Sequence, residues 1–155
     1  MAYSKSKEII LIGENGLLAR AFKESLTSQN IPFSVIKITR KNNIKNKKEL
    51  YKILKKYLNN RSSYTLINCL ASLKPKNKSD FYINENLPKD LIMYPTGSEI
   101  FLIHFSTNNI LSNQIKDNYT IQKKKGEENI QKIRNSKYNL IRLPFLLPKN
   151  NFDKN

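Results

Sequence analysis

Apolar residues along this chain fall into short continuous runs, separated by longer segments in which they recur every three or four positions. The continuous runs are "KEIILIG", "FSVIKIT", "YTLINCLAS", "EIFLIHFST" and "YNLIRLPFLL". Their length and their richness in Ile, Leu, Val and aromatic residues mark them as strands, and runs apolar on both faces belong to a sheet covered on both sides. Between them, "GLLARAFKESLTSQ", "KNKKELYKILKKYL", "SDFYINENLPKDLIMY" and "YTIQKKKGEENIQKIR" carry helical spacing. The second places Leu50, Ile53, Leu54, Tyr57 and Leu58 on one face; the third is bent or begun afresh at Pro88, whose ring carries no N–H for the helix ladder. Strands alternating with helices predict an α/β protein with a doubly wound parallel sheet of about five strands. The expected strand order is 3-2-1-4-5, with residues 1–148 as one domain and 149–155 as a polar tail.

Composition changes this picture little. The 155 residues suit one domain, and the net charge of +16 with a pI near 9.9 raises the question of an anionic partner. The positive charge is spread along the chain and sits on segments with helical apolar spacing, which is how solvated helix faces over a core look. Nucleic acid is therefore a rival reading and not the main one. No apolar run approaches the length of a membrane span and no leader is evident, so a soluble, cytoplasmic protein is expected. The single cysteine, Cys69, lies in an apolar stretch and reads as a small buried hydrophobe. His104, the only histidine, reads as a buried strand residue with no second ligand for a metal.

The chemistry begins at "LIGENGLLARAF", where Gly13, Gly16 and Ala19 follow the first strand and open the first helix. Small residues at this spacing let the chain turn sharply, bring backbone N–H groups to a pyrophosphate and pack the helix closely on the sheet, or they make a plain tight turn. The second strand ends in Thr39, Arg40 and Lys41, where an NAD site places an acidic residue. Cations there suit the 2′-phosphate of NADP, with NAD the alternative. Downstream, Tyr119 and Lys123 are four apart on one helix, a spacing in which an ammonium can lower the pKa of a phenol and prepare it for proton transfer. Ser106 and Thr107 end the fourth strand, at the edge where ligands of such sheets bind. Glu127 and Glu128 read as charge partners of the lysines one turn away.

In this order the segments "ILIGENGLLARAFKESL", "LINCLAS", "YINENLP", "HFSTNNIL", "NYTIQKKKGEENI" and "YNLIRLPFLL" resemble the extended short-chain dehydrogenase/reductase family, and within it the branch of dTDP-4-dehydrorhamnose reductases and related epimerases. The resemblance implies a Rossmann-type NAD(P)-binding domain. It implies that Gly13, Asn15, Gly16, Leu17 and Leu18 hold the pyrophosphate, that Asn68, Ala71 and Ser72 border the ribose, and that Asn84 takes the family's helix-asparagine place. Thr107 or Ser106 would bind the substrate oxygen, Tyr119 would exchange its proton, Lys123 would hold the nicotinamide ribose, and Pro144 would lie near the nicotinamide. The substrate class so implied is a nucleotide-linked sugar or another small carbonyl compound, and the assembly a homodimer through the helix of Tyr119. Two departures stand out: Asn108 replaces the family's aspartate, and no segment matches the lobe that holds the sugar nucleotide in those enzymes. That leaves a partner subunit supplying the lobe, or a non-catalytic NADP-binding or regulatory subunit, as alternatives beside the basic nucleic-acid-associated protein.

Overall fold

The computed structural model describes residues 7–38, 44–59, 63–112, 114–115 and 117–144. Its elements alternate as the apolar pattern predicts: β1 (Lys7–Ile12), α1 (Leu17–Ser28), β2 (Phe33–Ile36), α2 (Lys47–Leu54), β3 (Ser63–Asn68), α3 (Lys78–Glu85), α4 (Leu87–Ile92), β4 (Ile100–Thr107), α5 (Asn118–Gln131) and β5 (Lys137–Leu143). Local signals start the helices. The Asn46 side chain accepts from the Glu49 N–H at α2, Asn77 and Asp80 form a reciprocal capping box at α3, and Asp117 accepts from the Thr120 N–H at α5. These side chains satisfy amides that a helix start leaves without partners. Pro88 sits in the first turn of α4, so the apolar segment around it is two short helices and not one bent one.

All four strand pairings are parallel, in the order β2-β1-β3-β4-β5. This differs from the expected 3-2-1-4-5, and the helix faces explain why. Side chains alternate across each strand, so Ile10, Ile12, Ile36, Leu66 and Leu102 pack on one face with Leu50 and Leu54 of α2, Leu87 and Leu91 of α4, and Ile130 of α5. Leu11, Ile67 and Phe105 point to the opposite face and meet Leu26, Leu18 and Phe22 of α1. A right-handed crossover moves the chain one way along the sheet when its helix lies on one face and the other way when it lies on the opposite face. The change from α1 to α2 therefore carries the chain from β2 back past β1, and β3 lies on the far side of β1.

Cover on the two faces is unequal. Among the described residues the second face carries α1 alone, and Ile141 on β5 is 38% exposed. On α2, Leu50, Leu54 and the following Leu58 are buried as expected, while Tyr57 is 38% exposed beyond the end of the helix. β3 ends at Asn68, so Cys69 lies just past the strand; it is half-buried, and burial pushes its thiol up to about 12. No helix among the described residues is long and apolar enough to cross a membrane.

Candidate functional site

The reversal between β2 and β3 opens a crevice at the carboxyl edge of the sheet, between the loops that follow β1 and β3. Such switch points are where open α/β sheets bind ligands, because the two loops diverge to opposite faces. Here Gly13 follows β1 with φ of 101°, a conformation that favours glycine, and its N–H donates to the Ile36 carbonyl at 3.1 Å. A Cβ on Gly13 would stand 3.0 Å from Leu70 Cδ2. At Gly16, the nearest atom to such a Cβ is the Cys69 carbonyl oxygen at 3.9 Å. The backbone of this loop is close to the β3 loop and open beside Gly16.

Gly16 is also the N-cap of α1, with no side-chain cap and no acidic residue in the first turn. The twelve-residue helix thus presents bare amides and the positive end of its dipole at the crevice. Glu14 is the one carboxylate in the loop, and Lys37 past the end of β2 neutralises it at 3.0 Å. Asn15, Gly16 and Leu17 are exposed and Leu18 is half-buried, with Ala71 exposed and Ser72 half-buried across the crevice. The residues present fit an anionic nucleotide: a Cβ-free approach at Gly16, donors at α1 and no unneutralised acid. Arg40, the expected 2′-phosphate partner, lies outside the described residues, as do Thr39 and Lys41.

The second half of the site lies between α5 and the ends of β3 and β4. Strand register sets Asn68 beside Ile12 on one side and His104 on the other. His104, wholly buried, receives the Asn68 side-chain amide on Nδ1 at 3.0 Å and faces Lys123 Nζ with Nε2 at 3.2 Å. Lys123 Nζ also donates to the Phe105 carbonyl. Burial drives the Lys123 pKa down to about 7 against an opposing pull from Glu127. Burial, then the lysine charge, holds His104 well below the ordinary histidine range.

Tyr119 is half-buried one turn earlier on α5, and its pKa is raised by burial and by Asp117. The expected lowering of this phenol by the lysine is not found, because Lys123 is turned under β4 towards His104. Ser106 is buried and Thr107 half-buried; Thr107 accepts from the Asn109 N–H and so caps the 3₁₀ turn of Asn108–Leu111. Ser106 Oγ and Thr120 Oγ1 are buried with no hydrogen-bond partner among the described residues. Both hydroxyls lie on the faces by which β4 and α5 meet, two and three residues from His104 and Lys123. Pro144 is exposed immediately after β5.

Asn84, which the resemblance puts in the family's helix-asparagine place, acts as a strut. Its Oδ1 accepts from the Ser72 N–H at 3.0 Å, and its amide donates to the Ser72 carbonyl and to Gln122 Oε1, each at 2.9 Å. Both amide protons are used, so the residue holds the β3 loop to α5. Glu127 reaches beyond its own helix. It is 3% exposed and takes a two-pronged bond from Arg142 of β5, with Nη2–Oε2 at 2.7 Å, beside its electrostatic pull on Lys123 one turn earlier on α5. His104 is buried as expected, yet it belongs to the site. The signal that could have shown this is its place two residues before Ser106, on the same face of the same strand.

No known protein-family model matches the chain, and no curated protein matches it. Solved structures do. A dTDP-4-dehydrorhamnose reductase from Clostridium acetobutylicum superposes with a TM-score of 0.63 and 24% identity over 86% of this chain and 52% of its own. The Bacillus anthracis reductase in complex with NADP gives 0.67 and 17%, over 94% and 56%. A GDP-L-fucose synthetase from Naegleria fowleri bound to NADP gives 0.63 and 13%, over 95% and 53%. The chain has the Rossmann-type fold of these proteins. It spans about half the length of each.

Proposed function

We propose that the chain binds NADP(H) at the β1–β3 crevice and belongs with the extended short-chain dehydrogenases/reductases that modify nucleotide-linked sugars. The observation that carries this reading is the uncapped N-terminus of α1 at the topological switch point, beside an open Gly16. The likeness to two NADP-bound structures supports it. Gly13 to Leu18 would take the pyrophosphate, with Ala71 and Ser72 along the ribose. Bound there, the nicotinamide would supply or accept a hydride. Tyr119 is the group to exchange a proton with the substrate oxygen, and Thr107 or Ser106 to orient that oxygen. Turnover requires the substrate carbon to be held against the nicotinamide, and the half-length match leaves that task to a further lobe or subunit.

The test is a titration with NADPH and with NADH, followed by nicotinamide fluorescence, on the chain as given and on Gly16→Val. The variant removes the close approach while the fold has room for its Cβ, so loss of binding with no more than the loss of about 1 kcal/mol expected of a poorer N-cap is the expected result. Binding of NADPH by Gly16→Val as tight as by the parent overturns the assignment. Binding with no hydride transfer to nucleotide-linked 4-keto sugars identifies a nucleotide-binding subunit.

A second reading attaches to another surface. Lys48, Lys52 and Lys55 of α2 and its following turn line a groove of about 730 Å³ with Tyr51 and Tyr94, whose rings meet edge to face at 5.0 Å. Lys47 lies over the Tyr51 ring. Clustered cations with aromatic rings are the means by which single-stranded nucleic acid is held, and this is the feature that favours the nucleic-acid alternative. Oligonucleotide affinity that falls steeply with salt, and falls again in Lys48→Glu/Lys52→Glu, is its expected result.

A further inference from the structure

The hydrogen bonds around Lys123 determine where its protons are. The Leu70 N–H donates to Asn68 Oδ1 at 3.1 Å, so the Asn68 amide nitrogen is the atom that faces His104 Nδ1. Nδ1 therefore accepts. A ring that accepts at one nitrogen is neutral and carries its single proton on the other. That proton, on Nε2, points at Lys123 Nζ across 3.2 Å. An ammonium offers three donors and no lone pair, and it meets an N–H only with repulsion; a free amine accepts. The same nitrogen donates to the Phe105 carbonyl. A chain running from the Leu70 N–H through Asn68, His104 and Lys123 to the Phe105 C=O is satisfied at every link only when the lysine is uncharged.

The surroundings agree. Lys123 is 1% exposed, and burial penalises its charged form. On α5 itself the facing groups are Glu127, one turn on, and Tyr119, one turn back; β5 contributes Arg142, which is clamped to Glu127. β4 contributes His104 and β3 the uncharged amide of Asn68, while the Asn84 amide of α3 is taken by Ser72 and Gln122. Glu127 is the one carboxylate drawing the proton back, and Arg142 blunts it.

We propose that Asn68 and His104 are positioning residues that hold Lys123 as an uncharged amine in the free chain, and that nucleotide entry is coupled to protonation of that amine. The second clause rests on the nucleotide-binding reading above; the first does not. An anionic dinucleotide bound at the neighbouring loops favours the ammonium by simple Coulomb attraction.

The experiment has two arms. In the first, the chain is labelled with ¹⁵N-lysine and the side-chain nitrogens are titrated by NMR. One lysine should titrate with a midpoint of about 7 and vanish from the titration in Lys123→Met. In His104→Gln, whose amide oxygen can stand where Nε2 stood and accept, the midpoint should rise towards the ordinary lysine range. His104→Asn, which keeps an acceptor for Asn68 and removes the Nε2 proton, serves if the glutamine variant does not fold. A Lys123 that stays charged up to about pH 9 overturns the first clause.

In the second arm, NADPH binding is measured by calorimetry at about pH 8 in buffers of different protonation heat. Uptake approaching about one proton per nucleotide, with affinity falling about tenfold per pH unit above the midpoint, supports the coupling. Binding with no proton uptake overturns it. Absence of NADPH binding overturns the coupling and the nucleotide reading together, while the first arm still decides the state of the amine.

Discussion

Glycine within a helix ordinarily costs stability, and Ala in its place adds about 1 kcal/mol. Gly126, in the middle of α5, should behave in the opposite way. A Cβ there would stand 2.4 Å from the Asn84 carbonyl oxygen, 3.5 Å from its carbon and 3.8 Å from Glu85 Cα. All three are backbone atoms of α3, so no rotamer change relieves the contact, and α3 must withdraw by roughly 1 Å to restore ordinary packing. Withdrawal strains bonds that close the same interface, namely Asn84 to Gln122 at 2.9 Å and Asn129 Nδ2 to the Glu85 carbonyl at 2.9 Å. Overpacking costs about 1–3 kcal/mol, and two weakened bonds add about 0.5 kcal/mol each. Against the helix gain of about 1 kcal/mol, Gly126→Ala should destabilise the chain by about 1–3 kcal/mol. Urea unfolding followed by far-ultraviolet circular dichroism measures this as a lower midpoint at unchanged slope. A midpoint equal to or above that of the parent would refute the close α3–α5 approach, and with it the placement of Lys123 beneath β4.

The two loop glycines should separate in the same assay: Gly13→Ala, at φ of 101° and 3.0 Å from Leu70, should lose about 1–2 kcal/mol, while Gly16→Ala should lose less than about 1 kcal/mol. Equal losses would contradict the loop geometry. Asn84→Ala removes three hydrogen bonds and leaves Gln122 and both backbone groups of Ser72 to find new partners. It should cost about 2–4 kcal/mol, and a loss below about 1 kcal/mol would show that the strut is idle. Lys123 gives stability a sign with pH. Its folded pKa, about 7, lies below the value of 10.5 expected for an unfolded chain, so its contribution is complete only above the unfolded value and is lost as pH falls to the folded one. Between about pH 7 and pH 9 stability should rise by up to about 1.4 kcal/mol per unit, and Lys123→Met should flatten that rise; a slope unchanged in the variant would mean that the lysine is not the group titrating.

The apolar pattern by itself determined the alternation of strands and helices and the turn at Gly13, and it marked a break at Pro88 without deciding between a bend and a new start, because each depends on residues within a few positions of one another. The same local reach put Gly16 at the start of α1 and Tyr119 and Lys123 one turn apart on α5. Strand order was not legible in this way. Periodicity says that a strand has two buried faces but not which strand lies beside it, and the order was set by the face onto which α2 packed.

The polar interior of the site was decided at longer range still. Asn68, His104 and Lys123 come from three elements, and Glu127 finds Arg142, besides Lys123 on its own helix, only because β5 lies alongside β4. In the sequence a buried histidine and a helical lysine each look ordinary. Register and helix packing bring the two nitrogens within 3.2 Å, and at that distance inside a protein one proton must give way to the other.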